Sequence, residues 1–108
     1  MEITKIEDYK GGWYIGSFMP AAFYSKEFEV GFKLHKQGEK WDTHYHKLGT
    51  EINYLLRGEM IIQGKKLTTG DIFIIYPYEI ADPEFLTDCE VFIVKTPSNT
   101  NDKYIINK

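Results

Sequence analysis

A single cysteine, Cys89, among 108 residues excludes an intramolecular disulfide, so the fold rests on its own core and needs no oxidising compartment. Cys89 itself reads as a small core residue. Positive charge is also short. Lys+Arg 13 against Asp+Glu 16 give a net charge of -3, which leaves no basic footprint for nucleic acid or an anionic membrane surface. The longest apolar run, residues 72–76, falls far below a membrane span. The start, Met1-Glu2, lacks the basic-then-apolar order of a secretory signal. The expectation is a cytoplasmic protein with neither nucleic-acid nor membrane partners. There is no Gly-x-Ser-x-Gly elbow, P-loop or dinucleotide fingerprint, so nucleophilic and nucleotide hydrolysis have no sequence support. Helical periodicity is missing too.

What the chain has in quantity is aromatic and β-branched residues bounded by glycine and proline. Aromatics make up 16% of the sequence, a composition that suits half-buried pleated surfaces. Residues 1–12 form an edge strand or a loosely attached arm, ended by Gly11-Gly12, and residues 13–16 with Phe18 read as a short strand. From Phe28 the alternation is clean: Phe28, Val30, Phe32 and Leu34 share one face, Glu29, Gly31, Lys33 and His35 the other. Further strands are expected over 41–46, 51–57, 60–62, 66–68, 72–76 and 90–95, with a short segment at 104–106. Gln63-Gly64-Lys65 reads as a hairpin turn. Pro77 and Pro83 lack the ladder donor, which makes the region between them a loop. Short strands spaced by turns predict an all-β sandwich or barrel in one domain, 1–108, with its core over about 28–97.

Residues 38–58 carry the chemistry. His44 and His46 stand two apart, which on an extended backbone aims both imidazoles to one side. Glu51 opens the next strand and shares a face with Asn53 and Leu55. Two neutral imidazoles and a carboxylate make a facial triad with open positions, suited to iron(II) and related divalent ions. By parity Tyr45 and Tyr54 point away from that face, toward packing or an interface.

At these positions the sequence resembles the cupin family, whose first motif is filled without a gap by Gly38, His44, His46, Glu51 and Gly58. Gly70 to Ile75 resembles the opening strand of the second motif, but Tyr76-Pro77-Tyr78 replaces its usual turn, and the histidine expected as a further ligand falls at Ala81. The resemblance implies a single antiparallel cupin (jelly-roll) barrel. It implies a divalent metal (iron, manganese, nickel or zinc) on His44, His46 and Glu51, with Glu51 a ligand or a base. Asp82 beside the vacant position either substitutes for the missing ligand or is a solvated loop acid, the simpler reading. His35 occupies a position that faces the barrel interior in relatives, which a β-bulge would reconcile with its place on the polar face of its strand. His35 is therefore a candidate catalytic residue beside Glu51.

The leading expectation is a metal-binding cupin acting on a small polar metabolite or sugar-like substrate. The alternative is a non-catalytic small-molecule-binding cupin, favoured by the missing histidine; a purely structural subunit is a third reading. The apolar strand faces exceed what one small barrel can cover, which predicts a homodimer.

Overall fold

The structure is a computed structural model and describes residues 1–106; the last two positions of the expected 1–108 domain lie outside the described residues. Its strands in chain order are β1 Trp13–Gly16, β2 Phe23–Tyr24, β3 Glu29–His35, β4 His44–Tyr45, β5 Thr50–Arg57, β6 Glu59–Ile62, β7 Lys65–Thr68, β8 Ile72–Ile75, β9 Glu84–Phe85, β10 Cys89–Thr96 and β11 Tyr104–Ile105. A six-stranded sheet runs β2-β1-β3-β10-β5-β8, beside a three-stranded sheet β7-β6-β9 and the pair β11-β4. All pairings are antiparallel except β1 with β2. The fold is the all-β jelly roll expected. No helix among the described residues is long and apolar enough to cross a membrane.

The core lies where the sheets face each other. Leu55, Val91, Ile93 and Cys89 come from the large sheet, Met60, Ile62 and Phe85 from the small one. Cys89 is buried there, as expected of a small apolar side chain. Truncating Leu55, which is fully buried, to alanine would cost roughly 2–5 kcal/mol through lost transfer energy and the cavity left behind. Two motif glycines are required by the backbone. Gly38 has φ 75° in a turn whose N–H donates to the Phe85 carbonyl, and Gly58 has φ 118°, where a Cβ would lie 2.5 Å from the Asp88 carbonyl oxygen.

Several local expectations change. The first twelve residues hold two 3-10 turns, Ile6–Asp8 and Lys10–Gly12, rather than an edge strand. The strand expected over 41–46 shrinks to β4, because only His44 and Tyr45 find a ladder partner, in β11, together with a bridge from His44 to Ala81. The proline-flanked loop is followed at once by β9, which pairs with β6, and carries that one bridge. No bulge interrupts β3 against β10: the register is continuous from Cys89↔His35 to Lys95↔Glu29. Instead, the polar face of β3 is the inner one. Glu29, Gly31 and His35 are buried, while Leu34 on the apolar face is 67% exposed. Gly31 has no side chain because Trp13 lies over it; a Cβ there would sit 2.7 Å from Trp13 Cε3.

Candidate functional site

A cavity of about 590 Å³ opens beside the apolar core. Its floor follows from register. Across β3, β10 and β5, Glu29 pairs with Lys95 and Lys95 with Glu51, so three charged side chains form one row on the inner face. The next inward row is Gly31, Ile93 and Asn53, and the one after it brings Lys33, Val91 and Leu55. The cavity wall therefore combines the charged row with Asn53, Ile93, Lys33 and Val91 from the rows that follow.

His44 and His46 enter from β4 and the turn after it, and both are buried. Their rings meet edge to face with centroids 5.3 Å apart. The Nδ1 of His44 lies 2.9 Å from the Asp42 carbonyl, which can only accept, so Nδ1 carries the hydrogen and Nε2 keeps a lone pair. Burial lowers the pKa of both imidazoles, that of His46 to about 4, with the Lys95 charge acting further on His46. Both are neutral at pH 7.

Glu51 is half-buried in the same cavity, and desolvation pushes its carboxyl above the usual range despite the opposing charge of Lys95. Lys95 is itself buried, with Nζ 3.5 Å from Glu29 Oε2, and Ser98 Oγ donates to the other Glu29 oxygen at 3.1 Å. One ammonium thus stands between two carboxyls. Lys95 and Glu29 satisfy each other, and Glu51 is left with the environment that favours its protonated form. It shares the cavity with the two neutral imidazoles.

The three residues expected as metal ligands share this cavity, but they do not converge. Among the described residues no group of three His, Cys, Asp or Glu side chains stands close enough to hold an ion. Lys95, the register partner of Glu51, brings a buried ammonium to the same row, where it is paired with Glu29. Ala81, 3% exposed, bonds to His44 through both backbone groups, so the vacant histidine position does face the imidazole pair. Asp82 does not replace it. That residue is exposed, and its Oδ1 accepts the Gln63 N–H at 2.7 Å.

His35 lines the cavity, stacked on Phe85 at 4.1 Å and edge-on to Trp41 at 5.5 Å. Its Nδ1–H and the Trp41 Nε1–H both donate to Glu39 Oε2, each at 2.6 Å. The His35 bond first, then the Trp41 bond, holds the Glu39 carboxylate below its usual range. Tyr45 stacks on Tyr104 and Tyr78, and Tyr54 faces outward between Phe92 and Ile72, so both serve packing.

Sequence reasoning missed Glu29, Lys95 and Asp102. The last is 2% exposed, and its carboxylate accepts the backbone N–H groups of Lys47, Leu48 and Gly49 at 2.8, 3.0 and 2.7 Å. Burial works to raise its pKa, but those three bonds outweigh it and the result is lowered. Asp102 thereby ties the C-terminal segment to the turn after His46 and brings Lys103 to the cavity mouth. The legible signal was the alternation of β10, which puts Lys95 on the same face as Cys89, Val91 and Ile93.

No protein-family model and no curated protein matches the chain. Solved structures do. A conserved protein with a double-stranded β-helix domain from Klebsiella pneumoniae shares 18% identity over 98% of this chain and 92% of its own, with a TM-score of 0.71. KdgF from Halomonas sp. shares 18% over 71% and 74%, TM-score 0.63, and an RmlC-like cupin from Shewanella frigidimarina 21% over 70% and 71%, TM-score 0.62. With the filled first motif on its turn and strands, the chain has the cupin fold.

Proposed function

We propose that this chain is a small-molecule cupin that receives a compact polar metabolite in its barrel cavity without a tightly held metal. The observation that carries the reading is the row Glu29, Lys95 and Glu51 opening into a cavity of about 590 Å³, within the size range of small-molecule sites. Glu51 and the His44–His46 pair contact the ligand. Glu51 donates a hydrogen bond or proton to a ligand oxygen, the neutral imidazoles accept from its hydroxyls, and His35 closes one wall.

A second reading places a divalent ion (iron, manganese, nickel or zinc) on His44 and His46 with Glu51, making the protein a metal-dependent enzyme. Its support is the Asp42 carbonyl, which accepts from His44 Nδ1 and leaves Nε2 free, as the hydrogen-bond partners of metal-bound histidines do. The test is elemental analysis beside ligand-induced shifts in melting temperature, for wild type and His46→Ala. The first reading expects wild type free of bound metal after gentle purification and stabilised by small polyols or sugar acids. Stoichiometric metal in wild type and none in the variant would transfer preference to the second.

We further propose that the outer face of the six-stranded sheet joins a second copy of the chain. Phe32 and Phe92 pack at 4.7 Å there, with Leu34, Ile52, Ile72 and Ile74 exposed around them. An apolar face of this extent, with its polar residues turned inward, suits a self-complementary two-fold contact.

A further inference from the structure

The chain as a whole is acidic, with a net charge of -3, yet its cavity wall carries Lys10, Lys33, Lys95 and Lys103 against only Glu29 and Glu51. Lys95 is matched by Glu29 at 3.5 Å. Among the described residues neither Lys33 nor Lys103 forms an ion pair. Both lie against one indole. The Nζ atoms of Lys33 and Lys103 are 5.9 and 4.9 Å from the Trp41 ring centroid, and Lys33 is also 5.8 Å from that of Trp13. Burial pulls the Lys33 pKa down, Glu39 opposes this, and the Lys103 charge adds to the fall, as expected of two ammoniums near one another.

The indole that both approach is held in place. Glu39 takes its N–H at 2.6 Å and anchors His35 by the same oxygen, while Trp41 keeps 38% of its surface exposed. Two unmatched cations around a fixed, partly open aromatic face are poorly placed for a neutral ligand. Each would lose hydration where a ligand covers it without gaining a partner. An anion bridging them regains that loss through charge-assisted hydrogen bonds.

We propose that Lys33 and Lys103 form an anion clamp about Trp41, and that the ligand of this cavity carries a carboxylate or phosphate beside a ring that lies on the indole. The inference rests on the reading of the cavity as a small-molecule site and names the class of molecule it takes. Lys95 lies deeper, matched by Glu29, and sets the polar floor rather than the clamp.

The test compares glucuronate, glucose 6-phosphate and glucose as probes, by calorimetry and by the Trp41 indole N–H resonance. At least one of the two anions should bind about tenfold tighter than glucose, the worth of a charge-assisted hydrogen bond, and should move that resonance. The carboxylate and phosphate arms identify which group is preferred. Lys33→Gln with Lys103→Gln should abolish the preference of the anions over glucose. Lys103→Gln alone alters an exposed side chain and should reduce the preference even if the double variant fails to fold. Glucose binding as tightly as both anions, or a preference that survives both substitutions, would overturn the clamp and leave the cavity's role as a ligand site standing. Binding of none of the three would overturn both.

Discussion

Lys95 and Glu29 face each other in register on β10 and β3, Nζ to Oε2 3.5 Å, with both side chains nearly removed from water. Breaking such a pair strands a charge. Lys95→Met should destabilise the protein by about 3–5 kcal/mol, and Glu29→Gln by a comparable amount. The double variant should recover much of that loss, because no unpaired charge remains. Urea unfolding of the wild type, both singles and the double forms the cycle; purely additive losses would show that the two side chains do not interact.

His46 predicts acid sensitivity, and the sign follows from its environment. Burial lowers its pKa in the fold to about 4, from an ordinary value of 6.5. Between those values the unfolded chain takes up the proton and the folded chain does not. Stability is therefore full above pH 6.5 and falls toward pH 4, by about 1–2 kcal/mol at pH 5. His44 acts in the same direction. Denaturation curves at pH 7 and 5 should show this loss, and His46→Gln should diminish it. Titration of the imidazole C–H signals near 6.5 would contradict the prediction.

Asp102 predicts a separate loss at lower pH. Its pKa is lowered, so its stabilisation is present above the unfolded value of 3.8 and disappears as pH falls through the folded one. Asp102→Ala leaves the Lys47, Leu48 and Gly49 amides without their acceptor and should cost roughly 2–3 kcal/mol at neutral pH. Hydrogen exchange should accelerate at those amides first. Unchanged exchange would show that water replaces the carboxylate without loss.

The proposed dimer is open to one substitution. Phe92→Lys puts a charge at the centre of the outer apolar face, opposite Tyr54 and Phe32, and sedimentation should then find the 12.7 kDa monomer where wild type sediments at twice that mass. A monomeric wild type at micromolar concentration would remove the proposal.

These features differ in how far the sequence reveals them. The spacing of Gly38, His44, His46, Glu51 and Gly58 was readable because turn glycines and strand parity are local, and Ala81 does sit opposite His44 where the second motif would place a histidine. The facing of β3 was not. Alternation separates Val30, Phe32 and Leu34 from Glu29, Lys33 and His35, but the usual rule of apolar side inward fails when the interior is a polar cavity and the exterior an apolar sheet face. Lys95, at the end of an apolar strand, looks like a solvated terminus. Asp102 looks like part of a polar tail, since its partners lie more than fifty residues earlier. In both cases the deciding neighbours are brought by topology.

Gly31 has a bearing on how such a cavity can diversify. The space where its side chain would be is filled by Trp13, and Trp13 is also a wall of the cavity. A methyl group added at position 31 would meet the ring at 2.7 Å, so the indole must move and the cavity must change shape with it. A residue with no side chain is thus a size control for the cavity. A change there alters the room in the cavity while the side chains of the charged row and of the imidazole pair stay the same.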